Sequence, residues 1–163
     1  MKNEIFFFVI CGVCGLVAYG LGTYLIFSST PSASARVLVR LRCPETIPRF
    51  KLLEFLPPEG DTIVPKGFKL IKHAVCFPEE KIIRQGKLFL CLTKEGKTID
   101  LGPVKFRSRD GRTLASWLPE NSSAVIPPGY VFVAGDGTPH SYDSRYFGPI
   151  PQEGILSCPV PLF

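Results

Sequence analysis

Residues 127–136 read Pro127-Pro128-Gly129-Tyr130-Val131-Phe132-Val133-Ala134-Gly135-Asp136, and residues 141–150 read Ser141-Tyr142-Asp143-Ser144-Arg145-Tyr146-Phe147-Gly148-Pro149-Ile150. A proline-glycine turn opens the first stretch, since proline presets φ at one turn corner and glycine accepts positive φ at the next. The apolar run from Tyr130 to Ala134 is strand-like, and Gly135-Asp136 closes it with a second turn. The second stretch reads as a polar Asp-Ser-Arg-Tyr loop.

The same punctuation runs through the rest of the chain. Sixteen prolines and fifteen glycines are spaced among thirteen phenylalanines and many β-branched residues, a composition that favours short strands over long helices. Arg36-Val37-Leu38-Val39-Arg40-Leu41-Arg42 alternates charged and apolar residues, which predicts a half-buried strand. Apolar stretches follow at Phe50–Leu56, Phe68–Phe77, Lys87–Thr93 and Thr98–Arg107, and the chain closes with Gly154–Leu162. The turn Lys94-Glu95-Gly96-Lys97 separates two of them. No heptad, internal repeat or long amphipathic helix interrupts this pattern. It predicts one all-β domain, sandwich or barrel.

The N-terminus differs in kind. Ile5 to Phe27 is an uncharged run of 23 residues, which as a helix rising about 1.5 Å per residue crosses a bilayer core of about 30 Å. It exceeds the roughly 7–15 residues of a secretory h-region, so it predicts an uncleaved anchor over residues 1–27 and a domain over 28–163. Ser28-Ser29-Thr30-Pro31-Ser32-Ala33-Ser34 after it has linker composition. Arg36, Arg40 and Arg42 beyond the run would hold the domain in the cytoplasm if the positive-inside rule alone decided the topology.

The net charge of +5 is spread along the chain, which argues against nucleic acid and suits a domain lying against anionic lipid. Cys11 and Cys14 sit inside the apolar run as small membrane residues. Cys43, Cys76, Cys91 and Cys158 are an even set that fits two disulfides in an oxidising compartment, with their pairing open. No histidine lies at metal-ligand spacing from them, and neither a metal nor an organic cofactor is expected.

One lysine stands out chemically. Lys72 follows Leu70 and Ile71 and precedes Ala74-Val75-Cys76-Phe77, and strand alternation places it on the face of Leu70 and Ala74. An ammonium group cannot accept a proton, whereas burial among apolar residues favours the neutral amine that can. A serine hydroxyl needs such a neighbouring base to act as a nucleophile. Lys66 and Lys69 lie nearer the preceding turn and read as solvated.

Several of these segments resemble the signal peptidases. Residues 127–136 and 141–150 are similar to the segment that ends membrane-bound signal peptidases. Lys72-His73-Ala74-Val75-Cys76-Phe77-Pro78-Glu79-Glu80 looks like the segment that begins with their base lysine. His73 and Glu79-Glu80 depart from the family's pattern, while Pro78 keeps its register. Asp110-Gly111-Arg112-Thr113-Leu114-Ala115-Ser116-Trp117 and Thr138-Pro139-His140-Ser141-Tyr142-Asp143-Ser144-Arg145 resemble the conjugative-transfer, TraF-type subfamily.

The resemblance implies a signal-peptidase-like β domain behind one transmembrane helix and a membrane-anchored serine endopeptidase of family S26 with a Ser-Lys dyad. It makes Lys72 the base and Ser32 the nucleophile, with Ser34 as the alternative because Ser34 and Arg36 stand where relatives carry proline and glycine. It casts Ser141 as a residue orienting the lysine, with Asp143 and Arg145 as a pair supporting the loop. The implied partners are an exported precursor such as pilin, membrane lipid and components of type IV secretion. The implied location is the bacterial inner membrane with the domain in the periplasm. Phe50, Leu52, Leu53, Phe55 and Leu56 are expected to present apolar surface to the bilayer or the substrate. The alternatives are a general type I signal peptidase and an inactive relative that binds pilin or stabilises an assembly.

Overall fold

In the computed structural model the described residues are 20, 22–27, 36–108, 110–135 and 141–162. Among the described residues twelve strands form three antiparallel sheets. The strands are β1 (Leu25–Phe27), β2 (Val37–Val39), β3 (Leu52–Phe55), β4 (Leu70–Cys76), β5 (Lys81–Gln85), β6 (Leu88–Leu92), β7 (Thr98–Pro103), β8 (Ser122–Val125), β9 (Tyr130–Ala134), β10 (Ile150–Pro151), β11 (Ile155–Ser157) and β12 (Val160–Pro161). A short helix, α1 (Ser144–Phe147), lies between β9 and β10. The central sheet runs β10-β9-β4-β3-β11, the second β7-β6-β5-β8, and the third β1-β2-β12.

The central sheet is buried on both faces, and the two-residue period of its strands explains how. On β9, Phe132 and Ala134 join one core cluster while Val131 and Val133 join another. The first cluster also draws Ile82, Phe89, Cys91 and Leu101 from the second sheet. The second cluster gathers Leu53, Phe55, Ala74, Ile150 and Cys158. On β4 a register irregularity between Ala74 and Cys76 interrupts the alternation, and Val75 and Cys76 both face the first cluster. The turn before β9 forms as its sequence requires: Tyr130 N–H donates to Pro127 O at 3.2 Å and Gly129 takes φ of +78°.

Disulfides Cys43–Cys158 and Cys76–Cys91 settle the pairing that the sequence left open. The first ties the segment before β3 to the segment after β11, and the second joins β4 to β6 across the first core cluster. Each restricts the unfolded chain more than the folded one.

Three expectations change. Leu52, Leu53 and Phe55 are buried, because β3 is an inner strand between β4 and β11. Only Phe50 and Leu56, at its ends, remain exposed. The stretch after Ser141 is partly helical: Asp143 caps α1 by accepting from Arg145 N–H, which favours a turn of helix over an open loop. The last three residues of the long apolar run are strand, since Leu25, Ile26 and Phe27 pair with Val39, Leu38 and Val37 and so satisfy their backbone groups on β2. Among the described residues no helix is long and apolar enough to cross a membrane. Most of the expected anchor lies outside the described residues.

Glu54 ties the N-terminal sheet to the central one. Its side chain is buried on β3 and accepts from Arg40 Nε at 2.9 Å, Arg40 Nη2 at 2.9 Å and Ser157 Oγ at 2.6 Å. Arg40 Nη1 also donates to Thr23 O at 2.8 Å. Burial pushes the Glu54 carboxyl upward, but the bonds from Arg40 and Ser157 and the charges of Arg40 and Lys69 outweigh it and hold it below its ordinary value of 4.5. A carboxylate depressed in this way stabilises the fold above the ordinary value, and that contribution is lost as pH falls through the folded one. Glu54→Gln is therefore expected to cost about 1–3 kcal/mol at pH 7 and to flatten the loss of stability as pH falls below the ordinary value of 4.5, read by thermal unfolding. An unchanged acid limb in the variant would show that Glu54 does not carry it.

Candidate active site

Lys72 lies on the inner strand β4, opposite Leu53 of β3, with Ala74 two residues on along the same face. The side chain is only 5% exposed. Its Nζ lies near Gly135, the residue after β9. A Cβ placed on Gly135 would overlap Ser141 Oγ, lie 2.7 Å from Ser141 Cβ and come within 3.6 Å of Lys72 Nζ. Lys72 and Ser141 therefore converge on one glycine that has no room for a side chain. Ser141 is 5% exposed, and its Oγ has no hydrogen-bond partner among the described residues.

Asp143 and Arg145 hold this convergence in place. Asp143 is fully buried, and its Oδ2 accepts from Gly135 N–H at 3.0 Å and from Arg145 Nη2 at 2.7 Å. Its Oδ1 accepts from Arg145 Nε at 2.8 Å. Arg145 Nη1 donates onward to Leu101 O at 3.0 Å and Pro103 O at 2.9 Å on β7. Burial works against the Arg145 charge, but the bonds and charge of Asp143, together with Tyr146 and Asp100, outweigh it and raise the guanidinium above its ordinary value. The pair thus links the end of β9 to the second sheet. Ser144 adds a bond that the sequence reading missed: its Oγ accepts from Val133 N–H at 3.0 Å.

An open cleft of about 530 Å³ lies on the face of β4 that carries His73 and Val75, opposite the face of Lys72. Phe50, Leu101, Ala134 and Gly135 also line it, so the cleft and the lysine meet at Gly135. Phe50 holds φ of +64° at its mouth, and its carbonyl oxygen lies 2.7 Å from His73 Nδ1. Among the described residues the grouping with metal-donor spacing is Cys76, Glu80 and Cys91, but its two sulfurs are bonded to each other. Glu80 is instead held by Arg49 Nη1 at 3.0 Å and by Phe77 N–H at 2.7 Å.

The structure thus brings together Lys72, Ser141, Asp143 and Arg145. Ser32 and Ser34 lie outside the described residues, as do Asp136 and His140. Lys69 is partly solvated and lies 3.6 Å from Glu54, and Lys66 is exposed, in keeping with their reading as surface residues.

A buried lysine and a buried serine thus converge on Gly135, just past the end of β9, in an all-β domain. The model of the family described as signal peptidase, peptidase S26, matches residues 4–159, and the chain belongs to that family. It is 31% identical over 94 residues to the conjugal transfer protein TraF of Agrobacterium fabrum, covering 58% of this chain and 48% of the relative. It is 32% identical over 83 residues to a signal peptidase I of Bacillus caldolyticus, covering 48% of this chain and 44% of the relative. The chain spans about half the length of these curated relatives. A solved signal peptidase I from Enterococcus faecalis aligns with 70% of this chain and 97% of its own, at 22% identity and a TM-score of 0.43.

Proposed function

We propose that the chain is a membrane-anchored serine endopeptidase that removes leader segments from exported precursors, pilin among them, for a conjugative or type IV secretion apparatus. The observation that carries this reading is the burial of Lys72 with its amine beside Gly135, the glycine on which Ser141 also closes. Burial favours the neutral amine, the form that can accept a proton. In the proposed reaction Lys72 Nζ takes the proton of Ser32 Oγ, and that oxygen attacks the scissile carbonyl. The ammonium returns the proton to the departing amine, leaving an acyl-enzyme. Lys72 then takes a proton from water, whose oxygen attacks the ester; the bond to Ser32 Oγ breaks, the Lys72 ammonium returns the proton to that oxygen, and the acid is released. Ser141 orients the lysine, and Asp143 with Arg145 fixes the loop that carries Ser141. The two disulfides support an oxidising compartment, hence a domain on the periplasmic side of the inner membrane behind an anchor over residues 1–27.

The test is cleavage of a precursor by the full chain in detergent or vesicles. Ser32→Ala is expected to abolish cleavage and Ser34→Ala to leave most of it. The reverse pattern moves the nucleophile to Ser34. If both variants cleave as the wild type does, the nucleophile is neither Ser32 nor Ser34; if the wild-type chain does not cleave, the protease reading falls and a non-enzymatic assembly role replaces it.

A further inference from the structure

We propose that Asp61 and Tyr142 form a positioning latch, in which the β3–β4 connection holds Ser141 in place against Lys72. The proposal rests on the reading of Lys72 as the base, and it adds residues from outside the lysine and serine segments. Tyr142, the residue after Ser141, donates its hydroxyl to Asp61 Oδ2 at 2.6 Å across 81 positions of sequence. Asp61 is itself fixed, because its Oδ1 accepts from Ile63 N–H and Val64 N–H, each at 2.8 Å. Arg112 braces the same turn by donating from Nη1 to Thr62 O at 3.2 Å and Ile63 O at 3.0 Å. Arg112 is held in turn by Asp110, through Nε at 2.7 Å. The Asp-Gly-Arg segment that stands out in the sequence thereby gains a task.

The other side of Tyr142 is equally constrained. Its ring stacks on Tyr146 with centroids 5.4 Å apart and meets Phe147 edge-on at 5.4 Å. Tyr146 Oη accepts from Lys105 N–H at 2.9 Å. Ser141 thus has the buried Asp143–Arg145 pair on one side in sequence and the Asp61 latch on its immediate neighbour. A serine whose Oγ lies against Gly135 has little freedom once both are closed, and a shift in it alters the space beside Gly135 that the Lys72 amine also borders. Burial and then Asp61 push the Tyr142 phenol above its ordinary value of 10.0. Tyr142 therefore remains a donor at the pH of the assay.

Three variants of the full chain test the latch: Tyr142→Phe, which removes only the hydroxyl; Asp61→Asn, which keeps a side-chain bond with donor and acceptor exchanged; and Asp61→Ala, which removes it. One readout is precursor cleavage. The second needs no activity: the rate at which acetic anhydride labels Lys72 at a fixed pH, followed by mass spectrometry. Tyr142→Phe and Asp61→Ala are expected to lower kcat by about tenfold with KM within about threefold, and to change Lys72 labelling by at least about threefold. Asp61→Asn should lie nearer the wild type in both. Labelling and kcat of Tyr142→Phe within about twofold of wild type would overturn the latch. So would equal losses in Asp61→Asn and Asp61→Ala, which would make Asp61 a loop-folding residue only. If Lys72→Ala still cleaves, the reading of Lys72 as the base fails by itself, while the labelling rates of Lys72 in the wild type and in Tyr142→Phe still decide whether Tyr142 positions that side chain.

Discussion

Lys72→Met is expected to abolish precursor cleavage while the domain stays folded, with a melting temperature at pH 7 no lower than that of the wild type. Lys72 is buried on an inner strand opposite Leu53, so an unbranched apolar side chain of similar length fills the same space. The substitution also removes an amine whose charged form is penalised by desolvation. Activity should fall by at least about a thousandfold, as expected when the base of a covalent mechanism is lost. In the wild type, kcat/KM should rise with pH as the amine loses its proton, with the ascending limb below the value near 10.4 of a free lysine. Gly135→Ala should reproduce the loss of activity by another route, since the added methyl displaces Ser141 and crowds Lys72 Nζ. A Lys72→Met chain that fails to fold would make Lys72 structural and remove the main support for the dyad. A folded Lys72→Met chain that still cleaves would exclude Lys72 as the base.

Arg145→Met is expected to produce the largest loss of stability, about 3–5 kcal/mol, because it leaves the fully buried Asp143 carboxylate without its cation. At roughly 2–4 °C per kcal/mol this lowers the melting temperature by about 6–20 °C. The double variant Asp143→Asn with Arg145→Met removes both charges and should recover part of the loss, because an amide oxygen can still accept from Gly135 N–H. The difference between single and double variants gives the coupling of the pair. A single variant that loses less than about 1 kcal/mol would mean that water reaches Asp143 and that the pair does not hold the site.

The elements legible in sequence were those with local causes. The proline-glycine turn before β9, the Lys94–Lys97 turn between β6 and β7 and the apolar run of β9 need only neighbouring residues, and each forms where its residues predict. Strand β5 escaped notice because Lys81-Ile82-Ile83-Arg84-Gln85 is short and charged at its ends. Only its pairing with both β6 and β8 makes it an inner strand with Ile82 fully buried. The N-terminal run shows the opposite failure. Uniform hydropathy predicted helix to Phe27, but pairing with β2 converts Leu25–Phe27 to strand.

The site divides in the same way. By itself the sequence determined the all-β class, the singular setting of Lys72 among apolar residues and, by resemblance, the Ser141, Asp143 and Arg145 set. These depend on residue type and on spacing along one strand or one loop. Tertiary structure alone decided which cysteines pair, which of the apolar residues near β3 are covered, and that Asp61 and Arg112 reach the segment carrying Ser141. Those contacts join residues up to 115 positions apart. Their cost in chain entropy is met only when the whole domain closes, so no local pattern announces them.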